Sequence, residues 1–89
     1  MTAVTIYTRI LCPYCVRAVG LLKKKNIDYK EIDAGFDIAR KNEMIERAGG
    51  ARTFPQVFIG ETHVGGCDEL LALERSGKLD PILQAAGAA

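Results

Sequence analysis

Apolar positions along the chain change period several times, and each change marks an element. Val4, Ile6 and Tyr7 stand in a short β-branched and aromatic run that ends at Thr8-Arg9, the mark of a buried first strand. From Pro13 to Asn26 the set Cys15, Ala18, Val19 and Leu22 repeats at i, i+3, i+4 and i+7, which predicts a helix with one buried face. Lys23-Lys24-Lys25 closes it, reading as a solvated terminus that complements the negative end of the helix dipole in preference to a polyanion site. Tyr29-Lys30-Glu31-Ile32-Asp33 alternates weakly and follows a helix long enough to cross over the sheet, so a parallel second strand and a β-α-β unit are expected.

Asp37 is placed to cap a second helix running to about Ala48, with Ile38, Ile45 and Ala48 facing inward and Gly49-Gly50 ending it. Gln56-Val57-Phe58-Ile59 and Thr62-His63-Val64 flank Gly60-Glu61, a Gly-X loop that closes a tight hairpin and makes the sheet mixed. Gly65-Gly66 then turns the chain into a third helix with Asp68 near its start, Leu70, Leu71 and Leu73 on its apolar side, and Ser76-Gly77 at its end. Asp80-Pro81 starts a short last helix, and Leu79, Ile82, Leu83 and Ala86 repeat at helical spacing, as core and not as a partner-binding stripe. The fold class is therefore α/β, a four-stranded mixed sheet flanked by helices, with the Ala85–Ala89 tail expected to fray.

Composition narrows the function classes. A length of 89 residues and 48% hydrophobic content support one compact domain, residues 1–89, and leave no room for a second. A net charge of +1 makes no single-sign field, so neither nucleic acid nor membrane is an expected partner, and no apolar run approaches the span of a bilayer. Met1 leads into Ala3-Val4-Thr5-Ile6-Tyr7 without the hydrophobic region of a signal peptide, and 3 cysteines are too few for a secreted disulfide scaffold. A reducing cytoplasm is the expected location.

The candidate chemistry lies in Cys12-Pro13-Tyr14-Cys15, between the first strand and the first helix. Cysteines at i and i+3 on a first helical turn lie roughly 5–6 Å apart, within reach of a reversible disulfide. Proline suits the first helical position, which puts Cys12 at or next to the N-cap, where free amides and the positive helix end stabilise a thiolate. Arg9, three residues upstream, adds a cation. Cys15 is one turn inside, beside Val16, Val19 and Leu22, and is expected to stay protonated. Cys12 is thus the nucleophile and Cys15 the resolving thiol. A structural disulfide or half of a zinc site are the bland readings; with only Cys67 and His63 left as soft ligands, no second zinc-ligand cluster exists, and no metal is expected.

Two further segments bear on this site. The proline of Thr53-Phe54-Pro55 stands at a strand entry and removes a ladder donor, which leaves the backbone of Phe54 available to an extended peptide; local sequence does not distinguish a cis from a trans bond. Gly65-Gly66-Cys67-Asp68 precedes a helix start, either as a simple hairpin exit or as an anion site built on free amides. Cys67 by itself reads as a small buried hydrophobe.

Taken together, Cys12-Pro13-Tyr14-Cys15, Thr53-Phe54-Pro55 leading into Gln56-Val57-Phe58-Ile59-Gly60, and Gly65-Gly66-Cys67-Asp68-Glu69-Leu70 resemble the bacterial dithiol glutaredoxins, from about Val4 to Leu83. The resemblance implies a thioredoxin-like fold, a cis Pro55 beside the active disulfide, and a glutathione groove. It implies that Cys12 attacks, that Arg9 and Asn42 lie near the glycine carboxylate, and that the Phe54 backbone pairs with the glutathionyl cysteine. It further implies that amides at Cys67 and Asp68 hold the γ-glutamyl carboxylate, with Tyr14, Thr53, Pro55 and Gly66 lining the same groove. Phe54 stands where the family often has valine and Arg9 where it often has lysine; Arg40 or Lys41 are alternatives to Asn42.

The expected activity is glutathione-dependent thiol-disulfide exchange by a monomer, with glutathione, glutathionylated proteins and disulfide-containing proteins as partners. Reduction by a flavoprotein reductase, as for thioredoxin, is the nearest enzymatic alternative, and the glutathione groove argues against it. A glutathione-ligated iron-sulfur cluster carrier is a rival of another class; members specialised for it have one active-site cysteine followed by Gly-Phe-Ser, from which Pro13-Tyr14-Cys15 departs. A zinc-binding interaction module lacks ligands.

Overall fold

The computed structural model describes residues 3–88. Along the chain come strand β1 (Val4–Thr8), helix α1 (Pro13–Lys24), β2 (Tyr29–Asp33), α2 (Ile38–Arg47), β3 (Gln56–Ile59), β4 (Thr62–Gly65), α3 (Cys67–Arg75) and α4 (Leu79–Ala85). The sheet order is β2-β1-β3-β4. β1 and β2 are parallel, with Val4 opposite Tyr29, whereas β3 is antiparallel to both β1 and β4, so the sheet is mixed as expected. The hairpin turns at Gly60, whose φ of 61° is one that glycine adopts without a Cβ clash.

Strand alternation sends side chains to two cores. Val4, Ile6, Val57 and Ile59 pack on one face against Ala18 and Leu22 of α1, Leu70 of α3, and Leu79 and Leu83 of α4. Tyr7 and Phe58 point to the other face and meet Met44 of α2 and Ala48 at its C-cap. Full burial of each Leu or Ile is worth roughly 1.5–3 kcal/mol, which is how the 7-residue α4, too short to persist alone, is held in place. The Tyr7 hydroxyl donates to Glu43 at 2.5 Å and accepts from Arg47 at 2.9 Å, while the Arg47 guanidinium lies 4.3 Å from the centroid of the Phe58 ring. Burial, then the Glu43 bond, raises the Tyr7 pKa; the same bond lowers that of Glu43. These contacts pin α2 to the sheet.

Several expectations change. Ile38 is 77% exposed; the buried residue of α2 is Met44, with Ala48 buried as expected at the C-cap. Ile45 is half-buried against the same cluster as expected, but at about 100° per residue Ile38 lies well around the axis from Met44 and points away from that core. α1 ends at Lys24, and Asn26 takes φ 57° beyond it. Lys25 is not merely solvated: its ammonium lies 2.8 Å from Glu74 and 2.7 Å from Asp80, clamping the end of α1 to α3 and α4. The tail is docked through Ala88, whose N–H donates to the Leu83 carbonyl at 2.8 Å; Ala89 lies outside the described residues. Among the described residues no helix is long and apolar enough to cross a membrane.

Candidate active site

The β1–α1 junction builds the reactive centre. Cys12 is the N-cap of α1, with extended φ and ψ of −117° and 101°, and Pro13 is the first helical residue. The Cys12 sulfur accepts the Cys15 N–H at 3.2 Å, taking the place that a serine or aspartate oxygen holds in an ordinary cap. One of the donors that a helix start leaves unpaired is thereby directed at sulfur. Cys12, Cys15 and Cys67 are all free thiols and all buried. The Cys15 thiol is pushed up to about 12, first by burial, then by its hydrogen bond to the Cys12 sulfur and the charge there, against an opposing backbone bond and charge from Arg9. Cys67 is also raised, by burial first and then by Asp68, with Arg17 opposing. Neither Cys15 nor Cys67 is a ready thiolate.

Beside this turn, three segments far apart in sequence close a pocket of about 200 Å³, lined by Tyr14, by Thr53, Phe54 and Pro55, and by Gly66, Cys67 and Asp68. The Phe54-Pro55 bond is cis. Gly66 is the N-cap of α3, and a Cβ there would stand 3.3 Å from the Pro55 carbonyl, so the missing side chain lets the helix start close onto the proline loop. The Gly66 amide is already used by the Glu69 carboxylate at 2.7 Å. The following amides, Cys67 and Asp68, belong to the first helical turn, whose donors have no intrahelical acceptor. An anionic group entering the pocket meets these amides and the positive end of α3.

The sequence reading missed the brace behind this pocket. The Gln56 side chain, 2% exposed, donates to the Thr53 carbonyl at 3.0 Å and to the Thr53 hydroxyl at 3.1 Å, and its oxygen meets His63 Nε2 at 2.6 Å. With the amide nitrogen spent on Thr53, the oxygen faces His63, so Nε2 is the protonated nitrogen. A glutamine in the buried β3, across a hairpin from a histidine, was the only available signal.

Arg9 and Asn42 stand apart from the pocket. Arg9 lies on the other side of Cys12, in a groove of about 800 Å³ that also includes Cys15, and its guanidinium donates weakly to the Ile10 carbonyl at 3.4 Å. Asn42 is exposed on α2 and lines neither cavity; Arg40 pairs with Glu43 at 3.3 Å, and Lys41 is half-buried on the same helix. Among the described residues no group of three or more His, Cys, Asp or Glu side chains is arranged to hold a metal ion.

The chain and its four-stranded mixed sheet have clear counterparts in known proteins. The glutaredoxin family model matches residues 4–64. A glutaredoxin of Pseudomonas aeruginosa is 52% identical over 96% of this chain and 100% of its own length, and glutaredoxin 3 of Escherichia coli K12 is 46% identical over 94% of this chain and 100% of its own. Among solved structures, the glutaredoxin of Brucella melitensis superposes with a TM-score of 0.79 at 55% identity, covering 93% of this chain and 89% of that one. The buckwheat glutaredoxin-glutathione complex superposes with a TM-score of 0.87 at 32% identity, covering 97% and 80%. Sequence and fold agree, and the chain belongs to the glutaredoxin family.

Proposed function

We propose that this protein is a glutathione-dependent thiol-disulfide oxidoreductase that reduces glutathione mixed disulfides and protein disulfides in a reducing cytoplasm. The observation that carries the reading is the Cys12 sulfur capping α1, 3.2 Å from the Cys15 amide, next to a pocket walled by the start of α3. That pocket suits a peptide bearing a carboxylate: Phe54 offers backbone groups to an extended chain, and the amides of Cys67 and Asp68 with the positive end of α3 suit the anion. Solved glutaredoxins of the same fold include a glutathione complex.

The Cys12 thiolate attacks the glutathionyl sulfur of a mixed disulfide; the old S–S bond breaks, the substrate leaves as a thiol after taking up a proton, and Cys12 carries glutathione. A second glutathione thiolate attacks that glutathionyl sulfur, giving glutathione disulfide and free Cys12. With a protein disulfide, Cys12 forms a mixed disulfide with the protein and Cys15 attacks the Cys12 sulfur, releasing the protein as a thiol. Two glutathiones then reduce the Cys12–Cys15 disulfide. Burial is the largest cause of the raised Cys15 pKa and stays in place, but the charge on the Cys12 sulfur is a further cause and is gone once Cys12 is tied in a disulfide. Cys15 therefore ionises more readily when it is needed. Turnover of a glutathione mixed disulfide with NADPH, glutathione reductase and glutathione tests the proposal; no NADPH consumption above the protein-free rate would refute it.

A further inference from the structure

The groove on the far side of Cys12 has no part in the handling of glutathione proposed above. One wall is a single stripe of α1 running from Pro13 through Val16 and Gly20 to Lys23, and the other is the β1–α1 loop with Ile10 and Leu11. Several of its residues cost stability and return nothing inside the molecule. Leu11 holds φ 55°, where a bulky L-residue is sterically penalised, and leaves its side chain 91% exposed. Ile10 and Val16 are 54% and 72% exposed. Gly20 stands in mid-helix, where glycine is destabilising, yet a Cβ there would meet nothing within 4 Å. Packing does not require the glycine; its effect is to keep the groove open. Backbone strain and clustered exposed apolar side chains are features of functional surfaces.

We propose that this groove docks the polypeptide part of a protein disulfide substrate: an extended segment with an apolar residue beside its cysteine and an acidic residue farther along. The inference rests on the oxidoreductase reading above and adds which partners are selected. Cys12 and Cys15 both line this groove, so with glutathione assigned to the polar pocket next to Cys12 the groove offers a protein chain joined to Cys12 a separate path, with the resolving thiol beside it. The acidic residue follows from charge: Arg9 and Lys23 are the cations of the groove and neither forms an ion pair among the described residues, while Glu31 is engaged by the Thr8 hydroxyl at 2.8 Å. From Cys12 to Lys23 the helix advances about 16 Å, the length of about five residues of extended chain, so the acidic side chain belongs about five positions from the substrate cysteine.

Gly20→Leu fills the groove and, as a better helix former, favours folding; Gly20→Ala adds one methyl and is the control. Both and the wild type are assayed with NADPH, glutathione reductase and glutathione on a small glutathione mixed disulfide and on two synthetic peptides with an internal disulfide. One peptide has leucine beside a cysteine and aspartate five positions on, and the other has serine and lysine there. Wild type and Gly20→Ala should prefer the first peptide by about tenfold or more in kcat/KM, the scale of burying one leucine side chain. Gly20→Leu should lose the preference while turning over the small mixed disulfide at the wild-type rate. A preference kept by Gly20→Leu, a wild type without one, or equal loss on every substrate would overturn the docking site. A wild type inactive on the small mixed disulfide would instead overturn the oxidoreductase reading, and the docking site with it.

Discussion

Gln56→Leu removes the brace behind the proline loop without touching a reacting sulfur. Two donations to Thr53 and one bond from His63 are lost, at 3.0, 3.1 and 2.6 Å. Each is worth about 0.5–1.5 kcal/mol net. Thr53 and His63 are exposed, so water recovers part of their bonding, and leucine packs its own carbons in a site that is only 2% exposed. The expected loss is therefore near the lower end, about 1–2 kcal/mol, or roughly 5–15 °C in Tm for a chain of this size. The functional effect goes further than the stability effect. With Thr53 released, the Phe54 backbone loses its fixed position at the polar pocket, so KM for a glutathione mixed disulfide should rise several-fold while kcat at saturation changes little. His63→Ala, which leaves both donations to Thr53 in place, should move KM much less. Thermal unfolding and coupled turnover of the two variants decide the matter. A Gln56→Leu protein with lowered Tm and an unchanged KM would show that the brace only stabilises the fold and that the proline loop holds its shape without it.

Three further outcomes are expected. Cys15→Ser should keep turnover of small glutathione mixed disulfides and lose reduction of protein disulfides, with the protein adduct accumulating by mass; equal loss on both would mean that Cys15 is needed for the reactivity of Cys12 itself. Cys67→Ser puts a hydroxyl where a buried thiol packs, so Tm should fall, but activity should fall far less than in Cys12→Ser, because the contact assigned to Cys67 uses its amide; losses of equal depth would implicate the sulfur. Asp80 first, and then Glu74, raise the Lys25 pKa above its ordinary value, so its stabilisation is complete below the unfolded value of about 10.4 and disappears as pH rises through the folded one. Lys25→Met should accordingly lower Tm by a few degrees at neutral pH and converge with the wild type in strong alkali; a constant difference would remove the ion pairs as its cause.

The sequence was most legible where local chemistry and global fold agree. The β-α-β unit followed from the period change at Pro13, the hairpin from Gly60-Glu61, and the helix-capping position of Cys12 from Pro13 alone, because each depends on neighbours along the chain. The meeting of Tyr14, Thr53 to Pro55 and Gly66 to Asp68 in one pocket was anticipated only through family resemblance, since nothing local brings those segments together. What escaped sequence reading is set by contacts at long range. Lys25 reaches Glu74, Gln56 reaches both Thr53 and His63, and the buried stripe of α2 is centred on Met44 because Tyr7 and Phe58 lie beneath it. Ile38 looked like core because an isoleucine at a helix start carries no sign of which way the helix is turned. Leu11 was unreadable for a related reason: its left-handed backbone is imposed by the junction between β1 and α1 and has no glycine to announce it.

The central claim is that Cys12 carries glutathione through the polar pocket, and Cys15→Ser makes that intermediate visible because no internal thiol can resolve it. The variant is mixed with one equivalent of a glutathione mixed disulfide, quenched with acid and digested, and the adduct is located by peptide mass. The predicted result is a single glutathionyl group on Cys12. A group on Cys67, or a protein left unmodified while the mixed disulfide persists, would contradict it.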